Sequence, residues 1–172
     1  MGQGRRLRAS QQVHAWLRDH GSLTAAIVAH CDGQFGVELM HQSMRKPLPS
    51  ERHLLGIRRD ELAIVREVKL MCGDQVWVFA RTVIPVTSLK GRARHLAFLG
   101  NKPLGAVLFS SPRTQRSRVE IARLDKRHAL YGPATSHTQL KVDDLWGRRT
   151  LFVYEGKPLL VNEIFLPEIP QR

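Results

Sequence analysis

Apolar residues recur along this chain in two periods, and the places where the period changes mark its elements. Residues 11–18 set Val13, Trp16 and Leu17 on one side of a helix. His20-Gly21-Ser22 then precedes a second helical stretch, Leu23 to His30, with Ser22 as its N-cap. Asp32-Gly33 reads as a turn, after which Phe35, Val37 and Leu39 alternate as a strand does. The clearest pattern runs from Glu61 to Pro85. Two apolar-rich runs, Leu62 to Met71 and Val76 to Ile84, flank Gly73-Asp74, which predicts a hairpin that Pro85 ends. A second hairpin comprises Thr150 to Tyr154, the turn Glu155-Gly156-Lys157-Pro158, and Leu159 to Leu166, closed by Pro167.

Between the hairpins, Gly91 to Leu99 reads as a helix, and Pro103 sits where the first turn of a helix from Leu104 to Phe109 would place it. Arg118 to Leu124 is a further strand, and the polar stretch Asp125 to Asp144, punctuated by Gly132 and Pro133, reads as a long loop. Hairpins interrupted by short helices, without regular strand–helix alternation, predict an α+β fold with a mainly antiparallel sheet. The 172 residues suit one domain with a real core. Residues 1–10, with Arg5, Arg6 and Arg8 among small polar neighbours, read as a flexible basic tail, leaving 11–172 as the single domain.

Strand parity singles out two charges. Ile64, Arg66, Val68 and Leu70 share one face of the first hairpin, while Val65, Glu67 and Lys69 occupy the opposite, wetter face. Arg66 therefore points into apolar surroundings. In the second hairpin both faces are apolar, so Glu163 is buried whichever way it turns. An unpaired buried charge is too costly to leave unmatched. Buried ion pairs outnumber active sites, so the plainer expectation is that Arg66 and Glu163 pair with each other or with other side chains. The functional alternative is that an anionic ligand completes Arg66, whose planar fork suits a carboxylate, while Glu163 meets a hydroxyl or moves a proton. Leu23 and Leu104 each fall just inside a predicted helix start, where free N–H groups and the dipole favour anions.

Charge widens the choice before other absences narrow it. The 27 Lys and Arg against 15 Asp and Glu leave a net +12, which suits nucleic acid, a small anionic substrate, or solubility alone. The basic clusters Arg58-Arg59, Arg116 to Arg118 and Arg148-Arg149 lack interleaved aromatics, so they read as solvated faces, with Arg148 or Arg149 able to guide a dianion inward. No specific nucleic-acid partner is expected. The eight histidines form no metal-binding spacing, no Gly-rich phosphate loop follows a strand, and no nucleophile elbow is present. Cys31 and Cys72 show no metal or redox spacing and are expected as reduced thiols of a cytoplasmic protein. No run approaches a membrane span, no secretory signal is seen, and a monomer is expected.

Four blocks in order carry a family resemblance. They are Gly21-Ser22-Leu23-Thr24; Val65-Arg66-Glu67-Val68 with Ala80-Arg81-Thr82-Val83-Ile84-Pro85; Lys102-Pro103-Leu104-Gly105 followed by Leu108-Phe109; and Leu145-Trp146-Gly147-Arg148-Arg149 with Gly156-Lys157-Pro158-Leu159-Leu160 and Glu163-Ile164-Phe165-Leu166-Pro167. Together they resemble the bacterial chorismate pyruvate-lyases, over roughly Leu17 to Pro170. The resemblance implies an antiparallel sheet of about six strands with helices covering an enclosed ligand site, no metal and no organic cofactor. It implies a lyase that converts chorismate to 4-hydroxybenzoate and pyruvate at the start of ubiquinone synthesis. Its ligand-binding arginine and glutamate fall on Arg66 and Glu163, and its contacts at helix starts fall on Leu23 and Leu104. Some members have Met at position 23, and the stretch from about Leu124 to Val142 looks longer than in compact members. The same architecture serves as a ligand-sensing domain in transcription regulators, so a non-catalytic module for a small carboxylate is the rival reading. The twenty residues before Gly21 leave little space for a DNA-binding helix-turn-helix, which counts against it.

Overall fold

The computed structural model describes residues 11–172; the tail expected over residues 1–10 lies outside the described residues. Helix α1 (residues 11–18) buries Val13, Trp16 and Leu17, the three residues its pattern singles out. Helix α2 (Leu23–His30) starts at Ser22, whose hydroxyl accepts the Ala25 N–H at 3.3 Å. Six strands follow in one antiparallel sheet: β1 (Phe35–Arg45), β2 (Ala63–Cys72), β3 (Gln75–Pro85), β4 (Gln115–Asp125), β5 (Asp144–Tyr154) and β6 (Lys157–Phe165). Their order is β1-β2-β3-β6-β5-β4, so both hairpins lie whole inside the sheet and meet where β3 pairs with β6. The fold is the expected single-domain α+β architecture.

Both hairpins turn tightly, for the reason their sequences supply. Cys72 pairs with Gln75 around Gly73-Asp74, and Gly73 has φ 57°. Tyr154 pairs with Lys157 around a two-residue turn, shorter than expected, with Glu155 and Gly156 both at positive φ (49° and 76°). Positive φ at both central residues matches the twist of the flanking strands.

Several expectations change. Gly91–Phe98 is a 3-10 helix, with Ala93, Leu96 and Leu99 recurring every third residue as its buried side. The stretch expected as a long loop contains α5 (Tyr131–Thr135), held by buried Leu130 and Ala134. Helix α3 (Pro49–Leu55), which its polar residues had hidden, packs on the sheet face expected to be wetter. There Val65 is buried against Leu55, Ala63, Val83 and Leu160. The cysteines expected as thiols are bonded to each other. The β2–β3 turn lies against the α2–β1 turn, where Gly73 N–H donates to Gln34 O at 2.8 Å, and this sets Cys31 and Cys72 with Cα atoms 5.6 Å apart. A separation of 41 positions in sequence gives no hint of that proximity. No helix among the described residues is long and apolar enough to cross a membrane.

Candidate active site

The sheet has two covered faces, and the candidate site lies on the one beneath α2 and helix α4 (Leu104–Ser110). Register places Arg66 of β2 opposite Thr82 of β3, which is opposite Val161 of β6. One row along, Val68, Ala80 and Glu163 repeat the arrangement. Arg66, Glu163, Leu23 and Leu104 all line one cavity, floored by these rows and roofed by the two helix N-termini. The helices meet closely there, since a Cβ added at Gly105 would stand 3.3 Å from the Thr24 hydroxyl.

Arg66 is only 1% exposed, yet no acidic group is paired with it among the described residues. Its Nη2 donates to the carbonyls of Gly100 and Lys102 at 2.8 and 2.9 Å, and its Nε has no partner. Burial alone lowers its pKa from the usual arginine range. The two carbonyls belong to the segment just after the 3-10 helix, and Gln42 holds the end of that helix by donating to Ala97 O at 2.7 Å.

Of the two pairings expected, with each other or with other side chains, Arg66 and Glu163 do not form the first. Two strands and one pleat repeat separate them, about 12 Å at Cα from standard strand spacings. That span accepts a ring with polar groups at opposite ends. Glu163 pairs instead with the Arg148 Nε across the β6–β5 ladder. Arg148 is 4% exposed, and its Nη1 donates to Trp16 O and Asp19 O, at the end of α1, at 3.0 and 2.5 Å. It was expected on a solvated face. A longer β5 would have corrected this, because Arg148 shares parity with Thr150 and Phe152.

Arg116 is the second departure from the solvated-face expectation, since it also lines the cavity. Arg118 of the same strand is exposed, as expected. No three His, Cys, Asp or Glu side chains group as metal ligands among the described residues. The cavity thus offers two guanidinium groups with unmet donors, one carboxylate already paired, and two adjacent helix N-termini over apolar walls. Such a site suits a small anion with an apolar body.

The chain is therefore a small α+β domain with a cavity lined by Arg66, Arg116 and Glu163. The chain belongs to the chorismate lyase family, whose sequence profile matches residues 3–172. It is 40% identical over 160 residues to a probable chorismate pyruvate-lyase of Nitrosospira multiformis, covering 93% of this chain and 89% of that one. A protein of the same description from Methylococcus capsulatus is 41% identical over 157 residues, covering 91% and 96%. Among solved structures, PhnF from Mycobacterium smegmatis superposes with a TM-score of 0.64 at 14% identity, over 89% of this chain and 67% of that one. The ligand-binding domain of a putative GntR-family regulator from Bordetella bronchiseptica gives 0.57 at 13%, over 80% and 85%. At such identities these two similarities concern the fold alone.

Proposed function

We propose that the protein removes pyruvate from chorismate to leave 4-hydroxybenzoate, and so begins ubiquinone biosynthesis. The observation that carries this reading is Arg66, a buried guanidinium without an acidic partner, in the cavity of a chorismate lyase family member. Arg66 and the backbone N–H groups of Leu23 and Leu104 hold the ring carboxylate, and Glu163 takes the hydroxyl at C4, para to it.

Chorismate carries its enolpyruvyl ether at C3, next to that hydroxyl. When the C3–O bond breaks, its electron pair leaves with the enolpyruvate oxygen. Loss of the C4 hydrogen as a proton then supplies the pair that makes the ring aromatic, and protonation of the enolpyruvate methylene completes pyruvate. Aromaticity supplies the driving force, so the protein orients the substrate, excludes water and stabilises the charge on the leaving group. Two routes balance: the proton passes through Glu163 and exchanges with solvent, or it moves directly from C4 to the methylene.

Purified protein incubated with chorismate should release pyruvate and 4-hydroxybenzoate in equal amounts. A different aromatic product, or no pyruvate, would overturn the reading. The same reaction in heavy water separates the routes, because only the Glu163 route places solvent deuterium in the pyruvate methyl group.

A further inference from the structure

Arg116 has no part in the scheme above, yet its position is built with care. It lies near the start of β4, where Arg116 pairs with Phe152 and the next pairing is Arg118 with Leu151. Ser117 is the extra residue of a bulge. Without it, the parity that points Val119 and Ile121 to the cavity face would turn Arg116 away; with it, Arg116 faces the cavity. Its guanidinium lies 5.2 Å from the ring centre of Phe109 and 5.5 Å from that of Phe152. One Nη2 donates to Gly21 O at 2.8 Å, just before the α2 N-cap, and Nε is buried with no partner.

The charge balance of the cavity is then two positive. Glu163 is matched by Arg148, while Arg66 and Arg116 have no carboxylate of their own. A product with one carboxylate answers Arg66 alone. Chorismate has a second carboxylate on the enolpyruvyl group, attached next to the carbon whose hydroxyl meets Glu163. This group must therefore lie on the Glu163 side of the ring. Arg116 is on that side: its strand β4 lies beyond β5 from the β6 of Glu163, Arg66 lies on β2 at the other side of the sheet, and Arg116 and Glu163 line the same cavity.

We infer that Arg116 binds the enolpyruvyl carboxylate, a contact that the dianionic substrate makes and 4-hydroxybenzoate cannot. This rests on the function proposed above. The contact also serves the reaction, because charge develops on the group Arg116 holds.

The inference separates substrate from product, which a wall residue would not. Arg116→Gln should lower kcat/KM for chorismate roughly hundredfold, in line with losing one buried charged contact, while affinity for 4-hydroxybenzoate changes no more than about threefold. Arg116→Lys should recover part of the activity, since it keeps charge but not the fork. On the wild type, chorismate esterified at its side-chain carboxyl should lose a similar factor, and Arg116→Gln should barely distinguish ester from acid. Unchanged turnover by Arg116→Gln, an equal loss of product binding, or full turnover of the ester by the wild type would overturn the assignment. The ester arm decides the matter even if the Gln variant does not fold. A wild type inactive on chorismate would instead defeat the proposed function, so the two failures are distinct.

Discussion

Arg66 and Arg81 lie on adjacent strands and are buried alike, 1% and 5% exposed, but face opposite sides of the sheet into opposite surroundings. Arg81 is fully answered. Its Nε and Nη2 reach the two oxygens of Glu51 at 2.8 and 3.0 Å, and its Nη1 reaches Glu67 at 2.8 Å. Asn162 joins by donating to Glu51 Oε1 at 3.2 Å, and Glu51 also accepts the Leu48 N–H that begins α3. These carboxylates raise the Arg81 pKa against the opposing cost of burial. Arg66 meets two carbonyls and keeps an unpartnered Nε, so burial pushes its pKa the other way. Burial of a charge therefore does not single out a candidate site; burial without a counter-charge does. The Arg81 face holds α3 on the sheet, and the Arg66 face is where the proposed function places an anion.

The largest effect should come from breaking the answered arginine. Arg81→Ala leaves Glu51 and Glu67 without their cation, which should cost about 3–5 kcal/mol of stability in urea unfolding. Chorismate turnover per folded molecule should barely change. Arg81→Met combined with Glu51→Leu should recover part of the loss, because apolar packing replaces charges that otherwise stand unpaired. A freely tolerated Arg81→Ala would show that this network does not hold α3.

The unanswered arginine should give the reverse pattern. Arg66→Ala removes a charge with no acidic partner and two bonds to carbonyls, so its stability loss should be clearly smaller than that of Arg81→Ala. Turnover should fall about a hundredfold or more, and 4-hydroxybenzoate should no longer raise the melting temperature as it does in the wild type. Arg66→Lys should restore only part, an ammonium lacking the two-pronged geometry. A stable Arg66→Ala protein with undiminished affinity for 4-hydroxybenzoate would sink the site assignment, and one as unstable as Arg81→Ala would erase the contrast.

Much of this contrast was legible before the fold was known, and the remainder was hidden for physical reasons. Period-two alternation fixes parity, so the depth of Arg66 could be read from Ile64, Val68 and Leu70 alone. The helix starts at Leu23 and Leu104 followed from Ser22 and Pro103. Partners could not be read, because pairing between strands depends on register across the sheet. Hence the alternation left open whether Glu163 meets Arg66 or another side chain, and it meets Arg148. Arg116 was hidden by its bulge, which breaks the alternation the parity argument relies on. Helix α3 was hidden because one of its two buried residues is Glu51, a charge that reads as surface until Arg81 is placed above it. The Cys31–Cys72 bond joins two turns that only tertiary packing brings together.

The smallest expected effect concerns pH and again separates the two faces. The segment covering the Arg81 face contains His128 and His137, and both have pKa values lowered from the ordinary imidazole value. Burial is the main cause for each, with Arg149 adding to it at His128 and Lys69 at His137. His137 also stacks on the fully buried ring of Phe79, 5.9 Å between centres. Above about pH 6.5, the ordinary imidazole value, both histidines are neutral folded or unfolded, and their contribution is complete. As pH falls below that value, the unfolded chain takes up protons that the folded chain resists, so stability declines until the lowered folded values are passed. Urea unfolding at pH 7.5 and 5.5 should show the decline, and the double variant His128→Gln with His137→Gln should show a shallower one. Hydrogen exchange at pH 5.5 should quicken first in α5, beside these histidines, and later in α2 over the cavity. An unaltered pH slope in the double variant would remove the histidines as its cause. Equal acceleration of α2 and α5 would mean that acid does not tell the two faces apart.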